Sequence, residues 1–180
     1  MTPFQRLRAY PANPDARVAA CNMIALIVAW NQPTYPLYLR WVVGGDAWVA
    51  CITFLSTPVF LAVPWVARRH PLAGRALLPL AGIGNGILSR WAFGAASGVN
   101  WFLLPCAIIA VLAFRRSEWR TMIGLVALTA LGFATMRFVD PLPLGHFTPA
   151  DYARFFRLNA YSVAILCAVI GWNFRATFRA

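Results

Sequence analysis

Arginine-bearing breaks divide this chain into apolar runs of roughly membrane-spanning length, and that pattern constrains the fold more than any motif does. A helix needs ~20 largely apolar residues to cross a bilayer. In hydrocarbon every backbone N–H and C=O must find a partner inside the protein, which restricts spanning structures to helices and closed barrels. Runs at about 18–41, 47–66, 76–93, 99–114, 121–139 and 152–174 come close enough to that length to read as spans. They predict an all-α, polytopic membrane protein: a six-helix transmembrane bundle with short connections. With 61% hydrophobic and 12% charged residues, almost nothing is left for a soluble domain. Residues 1–17 read as a basic N-terminal arm, 18–174 as the membrane domain and 175–180 as the start of an exit helix.

The formal charge of +11 would suggest nucleic acid in a polar protein, but here it lies between the apolar runs, where arginine orients the chain. Taking the N-terminus as cytoplasmic, the inner segments hold Arg6, Arg8, Arg17, Arg68, Arg69, Arg75, Arg115, Arg116, Arg120, Arg175 and Arg179. The outer ends hold Arg40, Arg90, Arg137, Arg154 and Arg157. Eleven against five places both termini in the cytoplasm, with the bilayer, not nucleic acid, as partner.

Several local signals shape the spans. Asn13 and Pro14 suit the start of the first helix, and Pro33 and Pro36 each remove a backbone donor, so its outer end is expected to kink or unwind. Asp46 suits a cap for the second span. Gly82 and Gly86 have close-packing spacing in the third. Thr148, Pro149 and Asp151 form a capping-box pattern opening the sixth.

Candidate ligand contacts follow from polar groups placed where lipid should be. Arg90, Arg137, Arg154 and Arg157 sit at outer helix ends, where few positive charges are expected, and Arg154, Arg157 and Tyr161 share a helical face. They suit either arginines snorkelling toward Asp46, Asp140 and Asp151, or a shallow outward pocket for a polar head. Asn22, Asn31, Asn85 and Asn159 should point inward and bond across helices, with Asn85 also a candidate ligand contact. Asn100 and Trp101 complete that set, Trp101 as a cavity wall. The eight tryptophans fall mostly near run ends, as an interfacial belt would. His70 and His146 fall on opposite sides of the membrane, there is no phosphate loop or nucleophile with its base, and neither a cofactor nor catalysis by this chain is expected.

The stretch FGAASGVNWFLLP, with Gly94, Ser97, Gly98, Asn100, Trp101 and Phe102, resembles the six-span membrane-associated sensor (MASE-type) domains that precede the catalytic domain of bacterial class III adenylate cyclases. Asn22 with Pro33 to Tyr38, and Leu158, Asn159 and Ala160 before a basic exit, are similar too. More distantly, the layout is similar to the six-span input domains of histidine kinases that detect hydrophobic autoinducers. The resemblance implies a homodimeric input module that detects a lipophilic or amphiphilic ligand and controls a cytoplasmic output, in cis or in trans. A small transporter or channel, or a ligand-free scaffold subunit, are the competing readings.

Overall fold

The computed structural model describes residues 9–138 and 143–178, apart from the side chains of Arg137 and Phe178. Among them are six α-helices: α1 Ala16–Val42, α2 Thr57–Arg69, α3 Pro71–Phe93, α4 Leu103–Leu112, α5 Trp119–Phe138 and α6 Pro149–Phe174. They alternate in direction, so one end of the bundle gathers the starts of α1, α3 and α5 and the ends of α2, α4 and α6, together with most of the described arginines. The segments Ala47–Arg69, Arg116–Met136 and Pro149–Thr177 are long and apolar enough to cross a membrane. All eight tryptophans are exposed on the outside of the bundle.

α1 runs unbroken for 27 residues through both Pro33 and Pro36, so the unwinding expected there does not occur. The irregular backbone lies in the second span instead, where Ala47–Ser56 forms a 3-10 helix leading into α2. Ten residues is long for that geometry. Two side chains favour it, because the Thr53 hydroxyl donates to the Ala50 carbonyl and that of Ser56 to the Thr53 carbonyl, each three residues back at 2.8 Å. Pro58 adds to this by removing the donor that would reach the Phe54 carbonyl in an α-helix.

The caps divide in the same way between expected and unexpected. Thr148 and Asp151 form the anticipated box, with the Asp151 N–H reaching Thr148 Oγ1 at 3.2 Å and the Thr148 N–H reaching Asp151 Oδ2 at 3.0 Å. α1 is capped by Asp15 rather than Asn13, whose Oδ1 accepts from the Asp15 N–H instead. Burial works against the Asp15 charge, but the N–H groups of Arg17 and Val18 and the Arg115 guanidinium outweigh it and hold the carboxyl below its ordinary range. Asp46 caps nothing with its side chain; it accepts from the N–H of His146, in the connection between α5 and α6, at 2.9 Å.

Three apolar clusters hold the bundle: a large one at each end and a small one of Ile83, Leu103, Cys106 and Met136 that joins α3, α4 and α5. At the arginine-rich end, Cys21, Ile24, Phe60, Val63, Ile170 and Phe174 are among the residues packed together. At the other, Tyr35, Leu39, Val43, Phe93, Val99 and Phe155 pack, with Phe93 and Phe155 edge to face at 4.9 Å. Lipid is as apolar as these side chains, so close fit and interhelical hydrogen bonds contribute more than burial itself. Gly74 fits against Ala67 where α2 turns into α3, and Gly82 lies so near α4 that a Cβ would sit 2.5 Å from Cys106 Sγ. Gly98, with φ +76°, is turned against the ring of Phe156.

Ion pairs add a second lock at the arginine-rich end. Arg75, 4% exposed, makes a bidentate pair with Glu118 at 2.6 and 2.7 Å and also donates to the Ala113 carbonyl. Arg115 reaches Asp15 at 2.8 Å, tying the cap of α1 to the connection between α4 and α5.

Candidate functional site

Between the two large clusters the helices do not close completely. A cavity of about 320 Å³ lies at the waist, walled by α1, the 3-10 segment, α3, the turn before α4 and α6. α1 and α6 touch above it through Tyr35 and Asn159 and below it through the lower cluster. Where they separate, Ile27 of α1 and Ile165 of α6, 39% and 64% exposed, flank the gap. The cavity therefore opens sideways between α1 and α6, toward the surface that faces lipid.

Its polar wall is held by a network spanning four elements: α1, the 3-10 segment, α2 and α3. The Gln32 Nε2 donates to Ser56 Oγ at 2.6 Å, the single Ser56 hydroxyl proton is shared between the Thr53 carbonyl and Asn85 Oδ1, each 2.8 Å away, and the Thr57 hydroxyl donates to Gln32 Oε1. Gln32 and Ser56 are buried, and their bonds are of the kind that contributes ~0.6–2 kcal/mol each between membrane helices. Above the cavity the Tyr35 hydroxyl donates to Asn159 Oδ1 at 3.2 Å, and the Asn159 amide donates to the Ser97 carbonyl at 2.8 Å. Tyr38 and Asn31, also lining residues, pair with each other at 3.1 Å. Among the lining residues there is no charged side chain.

Of the eight contacts expected from sequence, seven have described side chains, and of those Asn85 alone lines this cavity. Arg90 is buried and donates to the Met136 carbonyl at 3.0 Å, holding α3 to the end of α5. Asn100 is half-buried in the turn beside the cavity, and Trp101 points outward against Phe133, so Phe102 takes the wall position expected of Trp101. Arg154 reaches the Val43 carbonyl at 3.2 Å and lies 3.9 Å from Asp151. Arg157 and Tyr161 share its face, and all three are exposed on the outside of α6 rather than turned into a pocket. The side chain of Arg137 and all of Asp140 lie outside the described residues. The described outer-end arginines therefore do not line this uncharged cavity, which lies deeper in the bundle.

The inward asparagines are also more varied than anticipated. Asn85 and Asn159 bond between helices, whereas Asn31 pairs within α1, and Asn22 donates to the Pro11 carbonyl of the preceding segment. Gln32, Ser89 and Ser162 gave no sequence signal of their own. Each is a common polar residue in an apolar run, and only the packing of α1, α3 and α6 brings them to one space.

No curated protein and no solved structure gives a significant match to the chain. The MASE7 family model matches residues 7–180. A six-helix membrane bundle of this kind, matched over nearly its whole length, belongs to the MASE7 family of membrane-associated sensor domains.

Proposed function

We propose that this membrane sensor domain is the input module of a cytoplasmic signalling output such as an adenylate cyclase, that a ligand in the waist cavity sets its state, and that α6 carries the change across the membrane. The observation that carries this reading is the double position of α6. Ser162, Ile165, Leu166 and Val169 line the cavity, and the same helix continues to Phe174 in the lower cluster and into a 3-10 turn at Arg175–Phe178. A ligand shifts an equilibrium only by binding two arrangements unequally, and an occupant between α1 and α6 would touch both surfaces whose relative position differs between such arrangements.

The orientation with both termini cytoplasmic follows the arginine distribution. It would deliver the end of α6 to an output domain, in cis or in trans, with catalysis belonging to that domain. Homodimerisation is part of the same reading, as the resemblance to cyclase sensor domains implies. Apolar clusters close the cavity above and below, which speaks against a continuous polar path for a transported solute. The test is a fusion of a class III cyclase catalytic domain after Ala180, with cyclic AMP measured in cyclase-deficient cells. Filling the cavity with Ser162→Phe or Leu166→Phe is expected to change output about tenfold, a coupling of ordinary allosteric size. Unchanged output from both variants, at equal membrane levels, would overturn the reading.

A further inference from the structure

Two polar groups in the cavity wall make no hydrogen bond among the described residues. Asn85 accepts at Oδ1 from Gln32 and from the Ser56 proton shared with the Thr53 carbonyl, and its Nδ2 makes no hydrogen bond among the described residues. The Ser89 hydroxyl likewise has no protein partner among them. Both residues line the cavity, and a spacing of four puts them on one face of α3. The other lining hydroxyls are occupied: Thr53 by Ala50, Ser162 by Leu158, Tyr35 by Asn159 and Tyr38 by Asn31.

Free donors in a largely apolar space favour an occupant that brings an acceptor. A charged occupant would lie in the hydrocarbon zone with no countercharge in the wall, which is strongly disfavoured. Opposite α3, the wall is formed by Ile165, Leu166 and Val169. At ~30 Å³ for each water-sized group, the volume accommodates about ten such groups.

We infer that the cavity binds an uncharged amphiphile of about ten heavy atoms that presents an oxygen acceptor to Asn85 and Ser89, lays its apolar part against α6, and arrives sideways from the bilayer between Ile27 and Ile165. This deepens the sensory reading and takes its meaning from it, but binding can be measured without any output domain.

The test uses the whole chain in phosphatidylcholine nanodiscs with a diazirine-bearing decanol as photoprobe, adducts being mapped by mass spectrometry. Adducts are expected to concentrate on the α1 and α6 walls and to be suppressed by excess decanol but not by decylammonium. Labelling should fall about tenfold in Ser162→Phe or Leu166→Phe and a few-fold in Ser89→Ala, the effect of one lost hydrogen bond. Adducts spread evenly over lipid-facing positions such as Leu131 and Phe133, or wall labelling unmoved by both cavity-filling variants, would overturn the inference. Equal competition by decylammonium would do the same. Cavity labelling as expected alongside a fused cyclase indifferent to these variants would uphold the site and sink the sensory reading. A responsive cyclase with no cavity labelling would sink the site alone.

Discussion

Gly82 and Gly86 share one helix and the same small side chain, yet they do different things. A Cβ at Gly82 would collide with Cys106 Sγ, whereas one at Gly86 would meet Leu103 Cδ2 at an ordinary 3.6 Å. Gly82→Ala should therefore force α3 from α4 and cost about 1–3 kcal/mol, while Gly86→Ala should be close to neutral; unfolding in mixed micelles measures both, and equal losses would contradict the packing described. Charge behaves as differently as size does. Arg75 is buried and its pair Glu118 is its only carboxylate contact closer than 4 Å among the described residues, so Glu118→Gln strands a buried cation at a cost of about 3 kcal/mol. Arg115→Gln should cost well under half as much, because its pair with Asp15 is largely solvated. The same unfolding measurement checks this, and equal costs would refute the distinction. Sequence shows a charge but not its burial. The outer-end arginines stand out in sequence by their position, whereas Arg75, which carries the tightest ion pair among the described residues, lies in the first turns of α3 in a stretch that sequence reads as an ordinary break between apolar runs.

Local devices were legible element by element, and devices that depend on neighbours were not. The Thr148–Asp151 box is written within four residues, and the structure forms it as the spacing implies. Thr148→Ala should loosen the first turn of α6 and lower stability by about 1 kcal/mol, with faster amide exchange confined to the residues just after Pro149; protection lost along the whole of α6 would contradict a local cap. The two prolines of α1 taught the reverse lesson. Their missing donors were plain in the sequence, but α1 is packed on α2, α3 and α6 and stays helical through them. The second span, with no proline before Pro58, takes the 3-10 form because Thr53 and Ser56 bond three residues back. That outcome depends on hydroxyl rotamers inside a packed bundle, which hydropathy does not encode.

The whole molecule is a bundle pinned at both ends and open at the waist. Its class was readable from the length of the apolar runs, since the bilayer admits few other folds for them. The cavity was not, because Gln32, Asn85, Ser89 and Ser162 come from three helices and become neighbours only on assembly. One measurement tests the waist site most directly. A bimane fluorophore at Ser162→Cys, with the native cysteines replaced and the protein in nanodiscs, reports which solvent reaches the cavity. Lipids carrying a nitroxide midway along the acyl chain should quench it strongly, and aqueous iodide should not. Strong quenching by iodide with none from the nitroxide lipids would mean that the cavity faces water, contradicting a site reached from the bilayer.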